Sequence, residues 1–247
     1  VSGGTVLTVA GAHKSYPQGD TGVPVFRDVE LAVRSGEVFS LLGSTGCGKS
    51  TLLRVMAGLE ELTSGSIDSE RDLKTGMVFQ EPRLFPWLNV RDNVGLGLRY
   101  RSNREAAERE ETVDEILRDF GISRIAAAFP EDISGGQAQR VSLARTLVTA
   151  PDTLLLDEPF SALDPRTRAD LQDWLLEVVR RRKLTVVFVT HDLEEAIYLG
   201  DRVGLMSGSP ATLANIWDTS GHRNRSFASD EAQGLKQEIT GLYREAA

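Results

Sequence analysis

Glu37-Val-Phe-Ser-Leu-Leu-Gly43 is a short, continuous apolar run, and Ser44-Thr45-Gly46-Cys47-Gly48-Lys49-Ser50-Thr51 follows it at once. The apolar run suits a strand buried on both faces. The residues from Gly43 to Ser50 fit the pattern G-x-x-x-x-G-K-[ST], and a helix is predicted from about Lys49 to Ala57, ending near Gly58. A strand, a glycine loop and a helix in this order give the pattern its meaning. A triphosphate needs donors close to its oxygens. Glycines let the backbone curl so that successive N–H groups point inward, and the helix N-terminus adds positive potential. Lys49 supplies a point charge toward the β- and γ-phosphates. The Ser50 hydroxyl can ligate Mg²⁺, which keeps most of its other ligands as water and phosphate.

Further along, Thr153-Leu-Leu-Leu-Asp157-Glu158 is an apolar strand that ends in two adjacent carboxylates. Alone it would be a core strand whose end meets water. With a phosphate loop upstream, Asp157 is expected to hold Mg²⁺ through its water shell. Glu158, one residue beyond the strand, would orient and polarise the attacking water. A third segment, Ile133-Ser134-Gly135-Gly136-Gln137, opens a helix predicted at about Gln137–Val148. Ser134 and the N–H groups after it would form a second anion site.

Together these residues resemble the nucleotide-binding subunit of an ABC transporter. Residues 133–137 are similar to the family signature L-S-G-G-Q, with Ile133 in place of Leu. The resemblance covers about residues 5–208. It implies a P-loop NTPase (RecA-like) α/β core with an antiparallel β subdomain and an inserted α-helical subdomain. It implies that Gln80 is the Q-loop glutamine, a Mg²⁺ or water contact, and that Ser161-Ala-Leu-Asp164 is the D-loop. His191 would be the switch histidine that reaches the γ-phosphate, where by itself it would be an ordinary strand-end histidine. Tyr16 stands where the family has an aromatic that stacks on adenine; otherwise, before Pro17, it is a turn residue. Cys47 fills a variable loop position. The implied cofactors are ATP and Mg²⁺. In the family two cassettes face each other head to tail. Each ATP would lie between Lys49, Ser50 and Glu158 of one chain and Ser134 and Gly136 of the other, so that ATP joins the dimer.

The remaining pattern is coarser. Strands are predicted at residues 5–16, 23–34, 77–80, 184–190 and 202–206, and helices at about 166–181 and 192–199. Strands alternating with helices imply a mostly parallel sheet covered on both faces. Between them, Ser102-x-x-Glu105 is a capping-box signature. Val113, Ile116, Leu117 and Phe120 then recur at helical spacing until Gly121. The chain is expected to be one ABC ATPase domain. Its core would span about 1–80 and 140–208, its helical subdomain about 81–139 and its tail 209–247. After Gly208 the tail reads as polar loop to about Ser229, followed by a last helix with Leu235, Ile239 and Leu242 on the docking face.

Composition limits the function. The 247 residues carry a net charge of −8, which argues against a general nucleic-acid binder. The single cysteine, Cys47, excludes an internal disulfide or a zinc site. The basic run Arg180-Arg-Arg-Lys183 reads as a solvated helix C-terminus. There is no basic-then-apolar signal pattern at Val1–Ala10, and no apolar run approaches the ~20 residues of a spanning helix. Any membrane spans therefore belong to another chain. Only 53 residues separate Gln80 from Ser134, which leaves no room for the long coiled coils of chromosome-type ABC proteins. Gln80-Glu-Pro-Arg-Leu-Phe-Pro-Trp-Leu-Asn-Val-Arg-Asp-Asn-Val resembles the nitrate/sulfonate/taurine group of importers, as does the short ending from Arg223 to Tyr243. That resemblance implies an ATPase at the cytoplasmic face of the inner membrane. Its partners would be a second cassette, permease subunits and an extracytoplasmic solute-binding protein. The alternatives are an exporter subunit or a soluble ABC ATPase outside transport.

Overall fold

The computed structural model describes residues 3–18, 21–69, 73–101, 106–221 and 229–245. The expected capping box at Ser102 and Glu105 lies outside these residues, as do Arg223 and the tail around it. The chain divides into two compact units, Val1–Leu73 with Val179–Ala247, and Lys74–Val178.

In the first unit, β1 (Thr5–Gln18) and β2 (Thr21–Arg34) form a long antiparallel pair. Strand β1 breaks register between Val9 and Ala12, where Gly11 adopts a φ of +52°. The Gly11 N–H donates to Glu30 Oε1 at 2.6 Å, so the irregularity leaves that donor paired. Strand β3 (Val38–Leu42) is buried along its whole length, as its unbroken apolar run requires. It pairs in parallel with both β7 (Thr185–Thr190) and β8 (Arg202–Gly208). Helix α1 (Lys49–Met56) turns Leu52 and Leu53 fully into the core.

Two strands in this unit were not visible in the sequence. The segment Ser64–Ser69, β4, pairs antiparallel with β1. More consequentially, Ala211–Asp218 is not loop but a strand, β9, antiparallel to β8. Its polar composition hides it: Thr212, Asn215 and Asp218 alternate irregularly with Ala211, Leu213 and Trp217. Pairing to β8 supplies what local pattern does not. The sheet of this unit is mixed: parallel in the β8–β3–β7 ladder and where β2 meets β9, antiparallel between β8 and β9 and in the β4–β1–β2 set that the resemblance implies as an antiparallel subdomain.

The last helix, α7 (Asp230–Glu245), does dock, but its buried stripe differs by one residue from expectation. Ile239 is fully buried, with Leu235 and Tyr243 packed beside it, a spacing of four along one face. Leu242 falls off that face and is 39% exposed.

In the second unit, β5 (Thr75–Val78) runs parallel to β6 (Thr153–Asp157). Strand β5 ends at Val78, so Gln80 lies two residues past the strand rather than at its last position. Helix α2 (Val90–Arg101) was not predicted, although Val90, Val94 and Leu98 recur every four residues and are all buried. In α3 (Ala106–Asp119), the apolar positions Val113, Ile116 and Leu117, with Phe120 just beyond, are buried as their spacing requires. Gly121, at a φ of +63°, ends it. Helix α4 (Gly135–Leu147) starts two residues before the predicted Gln137. Helix α5 runs from Pro165 to Arg182. Strand β7 is followed by the short helix α6 (Leu193–Leu199), which belongs to the first unit.

Candidate functional site

The first unit carries the phosphate loop. Strand β3 stops at Leu42, and residues 43–48 curl before α1 begins. Gly46 and Gly48 hold φ values of +85° and +100°, the left-handed region that a side chain resists. Space is equally decisive. A Cβ on Gly43 would sit 2.5 Å from the Met206 carbonyl oxygen and 2.8 Å from Cys47 Sγ; one on Gly48 would meet Val25 Cγ1 at 2.6 Å. Lys49 is 3% exposed, and its ammonium donates to the carbonyl oxygens of Gly43 at 2.7 Å and Ser44 at 2.8 Å. The charge is therefore aimed back over the loop it follows. Ser44, Thr45, Ser50 and Thr51 complete the stretch, and the first turn of α1 contains no acidic residue to oppose an anion.

His191 enters from the neighbouring strand. Leu42 and Thr190 are partners in the parallel ladder of β3 and β7. The residues just beyond them, Gly43 and His191, are therefore brought side by side at the C-terminal ends of those strands. The turn after β7 is tightly knit. Thr190 Oγ1 bonds to the Glu195 carboxylate, Asp192 N–H donates to Thr190 Oγ1 at 3.0 Å, and Asp192 Oδ1 caps α6 by accepting from Glu195 N–H at 3.1 Å.

Tyr16, in β1, is 40% exposed. Its hydroxyl donates to Glu60 Oε2, and Lys14 Nζ lies 4.8 Å from its ring centroid. Lys14 and Arg54 flank the same carboxylate at 3.5 and 3.6 Å. The bond to Glu60 raises the Tyr16 phenol above its usual value, and burial adds to the shift. Burial pushes Glu60 upward, but the Tyr16 hydroxyl, Lys14 and Arg54 outweigh it and hold Glu60 low. The ring is thus anchored at its hydroxyl edge, and one face is taken by a cation. Glu60 does not stand out in the sequence, because it lies 44 residues from Tyr16.

The second unit gathers the carboxylates and the Q-loop. Val78 pairs with Leu156 in the β5–β6 ladder, so Gln80 and Glu158 both lie two residues beyond matched positions. Gln80 Nε2 donates to Ser161 Oγ at 3.1 Å, and Ser161 Oγ donates to the Glu158 carbonyl at 3.0 Å. Glu158 itself has a φ of +44°, a costly conformation for a non-glycine residue. Asp157 is only 6% exposed at the end of its strand. Arg145, on α4, holds the chain after Gln80 by donating to the carbonyls of Pro82 and Arg83, both at 2.8 Å.

Ser134 caps α4. Its side chain accepts from Gln137 N–H at 3.3 Å, and Gln137 Oε1 accepts from Ser134 N–H at 2.9 Å. This is a capping box, with Gln137 as its third helical residue. The two glycines differ. A Cβ on Gly136 would meet Thr167 Cγ2 at 2.4 Å, whereas one on Gly135 would find only an ordinary 3.8 Å contact with Leu163. Asp164 caps α5 through Oδ1, which accepts from the N–H groups of Arg166 and Thr167 at 3.2 and 3.1 Å. Its bonds with Thr167, side chain first and then main chain, hold its carboxyl below the usual range.

Asn93 was missed by motif reasoning except as part of Asp92-Asn93-Val94. It is fully buried. Its Nδ2 donates to the carbonyls of Phe85, Leu88 and Asn89, and its Oδ1 accepts from Phe85 N–H at 2.9 Å. The loop it organises displays Trp87, 70% exposed, edge-on to Phe85 at 5.4 Å.

Residues 26–161 match the model of the family described as ABC transporter. The chain is 44% identical over 237 residues to an aliphatic sulfonates import ATP-binding protein of Xanthomonas axonopodis, covering 94% of this chain and 92% of that protein. It is 45% identical over 231 residues to the protein so named in Corynebacterium glutamicum, covering 93% and 92%. In Bacillus subtilis the protein so named is 35% identical over 243 residues, covering 96% and 94%. A solved dimeric ATP-binding cassette in a post-hydrolysis state, bound to ADP and Pi, superposes with a TM-score of 0.75 at 30% identity. It covers 86% of this chain and 98% of its own. The mixed α/β architecture is accordingly that of P-loop NTPase cassettes.

Proposed function

The chain belongs to the ABC transporter family, and from that premise we propose that it is the ATP-hydrolysing subunit of an importer for aliphatic sulfonates. The observation that carries the ATPase reading is the phosphate loop: left-handed Gly46 and Gly48, and a buried Lys49 ammonium turned onto the loop. The name of the sulfonate importers to which it is similar over nearly its whole length supports the cargo class. Uptake would need permease subunits and a solute-binding protein, with this chain attached peripherally at the cytoplasmic face of the inner membrane. No helix among the described residues is long and apolar enough to cross a membrane.

In the proposed cycle, the loop N–H groups and Lys49 bind the β- and γ-phosphates of ATP, and Tyr16 stacks on adenine. Ser134 and the first N–H groups of α4 reach the γ-phosphate of the ATP held by a second cassette. Glu158 aligns a water for attack on the γ-phosphorus and accepts its proton, and His191 contacts the γ-phosphate. ADP and inorganic phosphate leave, and the dimer opens. Binding thus drives one conformational step and hydrolysis resets it.

Mg²⁺ fits the donor set. Ser50 Oγ, the Asp157 carboxylate and the Gln80 amide oxygen are hard oxygen ligands, with water and phosphate for the rest. Gln80 Nε2 donates to Ser161, which leaves the amide oxygen as the atom of Gln80 that could serve as a ligand. When bound, the ion would neutralise charge that develops on the phosphates during transfer.

The test is Glu158→Gln. ATP should still bind, and hydrolysis should fall by about 10²-fold or more, the order lost with a general base. An ATP-held dimer should accumulate in sedimentation. Hydrolysis at the wild-type rate would remove Glu158 from the mechanism.

A further inference from the structure

Helix α7 lies beyond residue 161, where the match to the family model ends, yet it is fastened to the turn that carries His191. Tyr243 Oη donates to the main-chain oxygen of His191 at 3.2 Å. Lys236 Nζ meets Glu194 Oε1 at 2.6 Å, on the first turn of α6. Trp217 Nε1, from β9, donates to Glu238 Oε1 at 2.8 Å and ties the helix to the sheet. Beneath these bonds, buried Ile239, with Leu235 and Tyr243, packs in one cluster with Leu42, Ala196, Ile197, Val203, Leu205 and Trp217. Leu42 is the residue before the phosphate loop, and Ala196 and Ile197 belong to the helix that follows His191. The same helix therefore backs both strand ends from which the phosphate-facing groups project.

The bonds within the turn, from Thr190 to Glu195 and through Asp192, secure the residues on either side of His191. Tyr243 adds a bond to the peptide of His191 itself. A bond to the His191 carbonyl restrains the plane of the 191–192 peptide, and with the backbone on either side held by the turn bonds it narrows ψ of His191, and so the direction in which the imidazole leaves the backbone. The Tyr243 ring is held by packing against the buried cluster, so its hydroxyl arrives with little freedom left to lose.

We infer that Tyr243 is a positioning residue for ATP hydrolysis: through the His191 carbonyl, the C-terminal helix sets the direction from which the His191 side chain approaches the γ-phosphate. This rests on the reading of His191 as the γ-phosphate contact. One net hydrogen bond corresponds to roughly a two- to tenfold change in the population of the bonded geometry. The effect belongs on turnover rather than on ATP affinity, because Tyr243 is bonded to the switch turn and not to the loop that binds the phosphates.

The experiment compares the full-length chain with Tyr243→Phe, His191→Ala and the double variant. Single-turnover phosphate release is used to resolve slow rates, alongside steady-state kinetics and thermal unfolding. Phenylalanine keeps the ring in its packing and removes only the donor. Tyr243→Phe should lower kcat by about two- to tenfold, the equivalent of one such bond, with KM for ATP and Tm unchanged. In the His191→Ala background, adding Tyr243→Phe should change nothing further. The inference is overturned if Tyr243→Phe turns over at the wild-type rate, or if it costs the same in both backgrounds. A His191→Ala chain as fast as wild type would instead remove the role of His191, and the inference with it. That result differs from one in which His191 matters and Tyr243 does not.

Discussion

At the scale of single residues, the two signature glycines separate folding from assembly. Gly136 is required by its own chain, since a methyl group would overlap Thr167 at 2.4 Å. Gly136→Ala should destabilise the subunit by about 1–3 kcal/mol, the usual cost of overpacking, measured by denaturant unfolding. Gly135 has no such neighbour. Gly135→Ala should leave stability within about 0.5 kcal/mol of wild type, while weakening the ATP-dependent dimer of the Glu158→Gln background. Loss of stability in Gly135→Ala, or a normal dimer, would contradict this division. Tyr16 offers a pH test. Its raised phenol pKa means that the linked stability is complete below the ordinary 10.0 and is lost as pH rises through the folded-state value. Glu60, held low, contributes above its ordinary 4.5, and that contribution is lost as pH falls through the folded value. Absorbance titration should show one late-ionising tyrosine, which Glu60→Gln returns toward the ordinary range. An unchanged titration curve would deny the coupling. The sequence announced Tyr16 by its place in the family pattern, but the Glu60 carboxylate that steadies its hydroxyl comes from far along the chain and bears no motif.

At the scale of elements, legibility followed the source of the stabilising contacts. Strands β3, β6 and β7 are buried along their whole lengths and show it as apolar runs. Helix α3 declared itself by period and a glycine stop. Strand β9 and helix α2 did not: β9 depends on pairing with β8, and the stripe of Val90, Val94 and Leu98 in α2 is narrow, interrupted by Gly95 and Gly97 and joined by a buried polar side chain. That side chain, Asn93, makes the clearest prediction at this scale. Asn93→Ala removes three donated bonds and one accepted bond from the 85–89 loop and leaves the Phe85 N–H without its acceptor. The subunit should lose about 2–4 kcal/mol, as expected when several buried polar groups go unpaired. A variant that keeps wild-type stability would show that the loop holds itself.

At the scale of the whole molecule, the sequence placed the chemistry better than it placed the supports. Every proposed phosphate-facing residue lies at a strand end or a helix start that its motif anticipated; the fastenings from Glu60, Ser161, Arg145 and Tyr243 appear only when the chain is folded. The proposed cargo belongs to this scale too, because in the proposed importer its recognition falls to other chains. Complexes drawn from native membranes in mild detergent should contain a multi-span permease. Their ATP hydrolysis should rise with an alkanesulfonate and solute-binding protein, and less with nitrate or taurine. A stronger response to nitrate would move the assignment to another member of the same importer group, and an extract with no membrane partner would overturn transport itself. Asn93 has one more consequence. All four of its bonds are to main-chain atoms of Phe85, Leu88 and Asn89, so it dictates the path of the loop while remaining indifferent to the side chains the loop carries. The outward face at Pro86, Trp87 and Leu88 can therefore be rewritten by substitution without redrawing the backbone beneath it. Sequence on that face can drift while the shape that carries it stays the same.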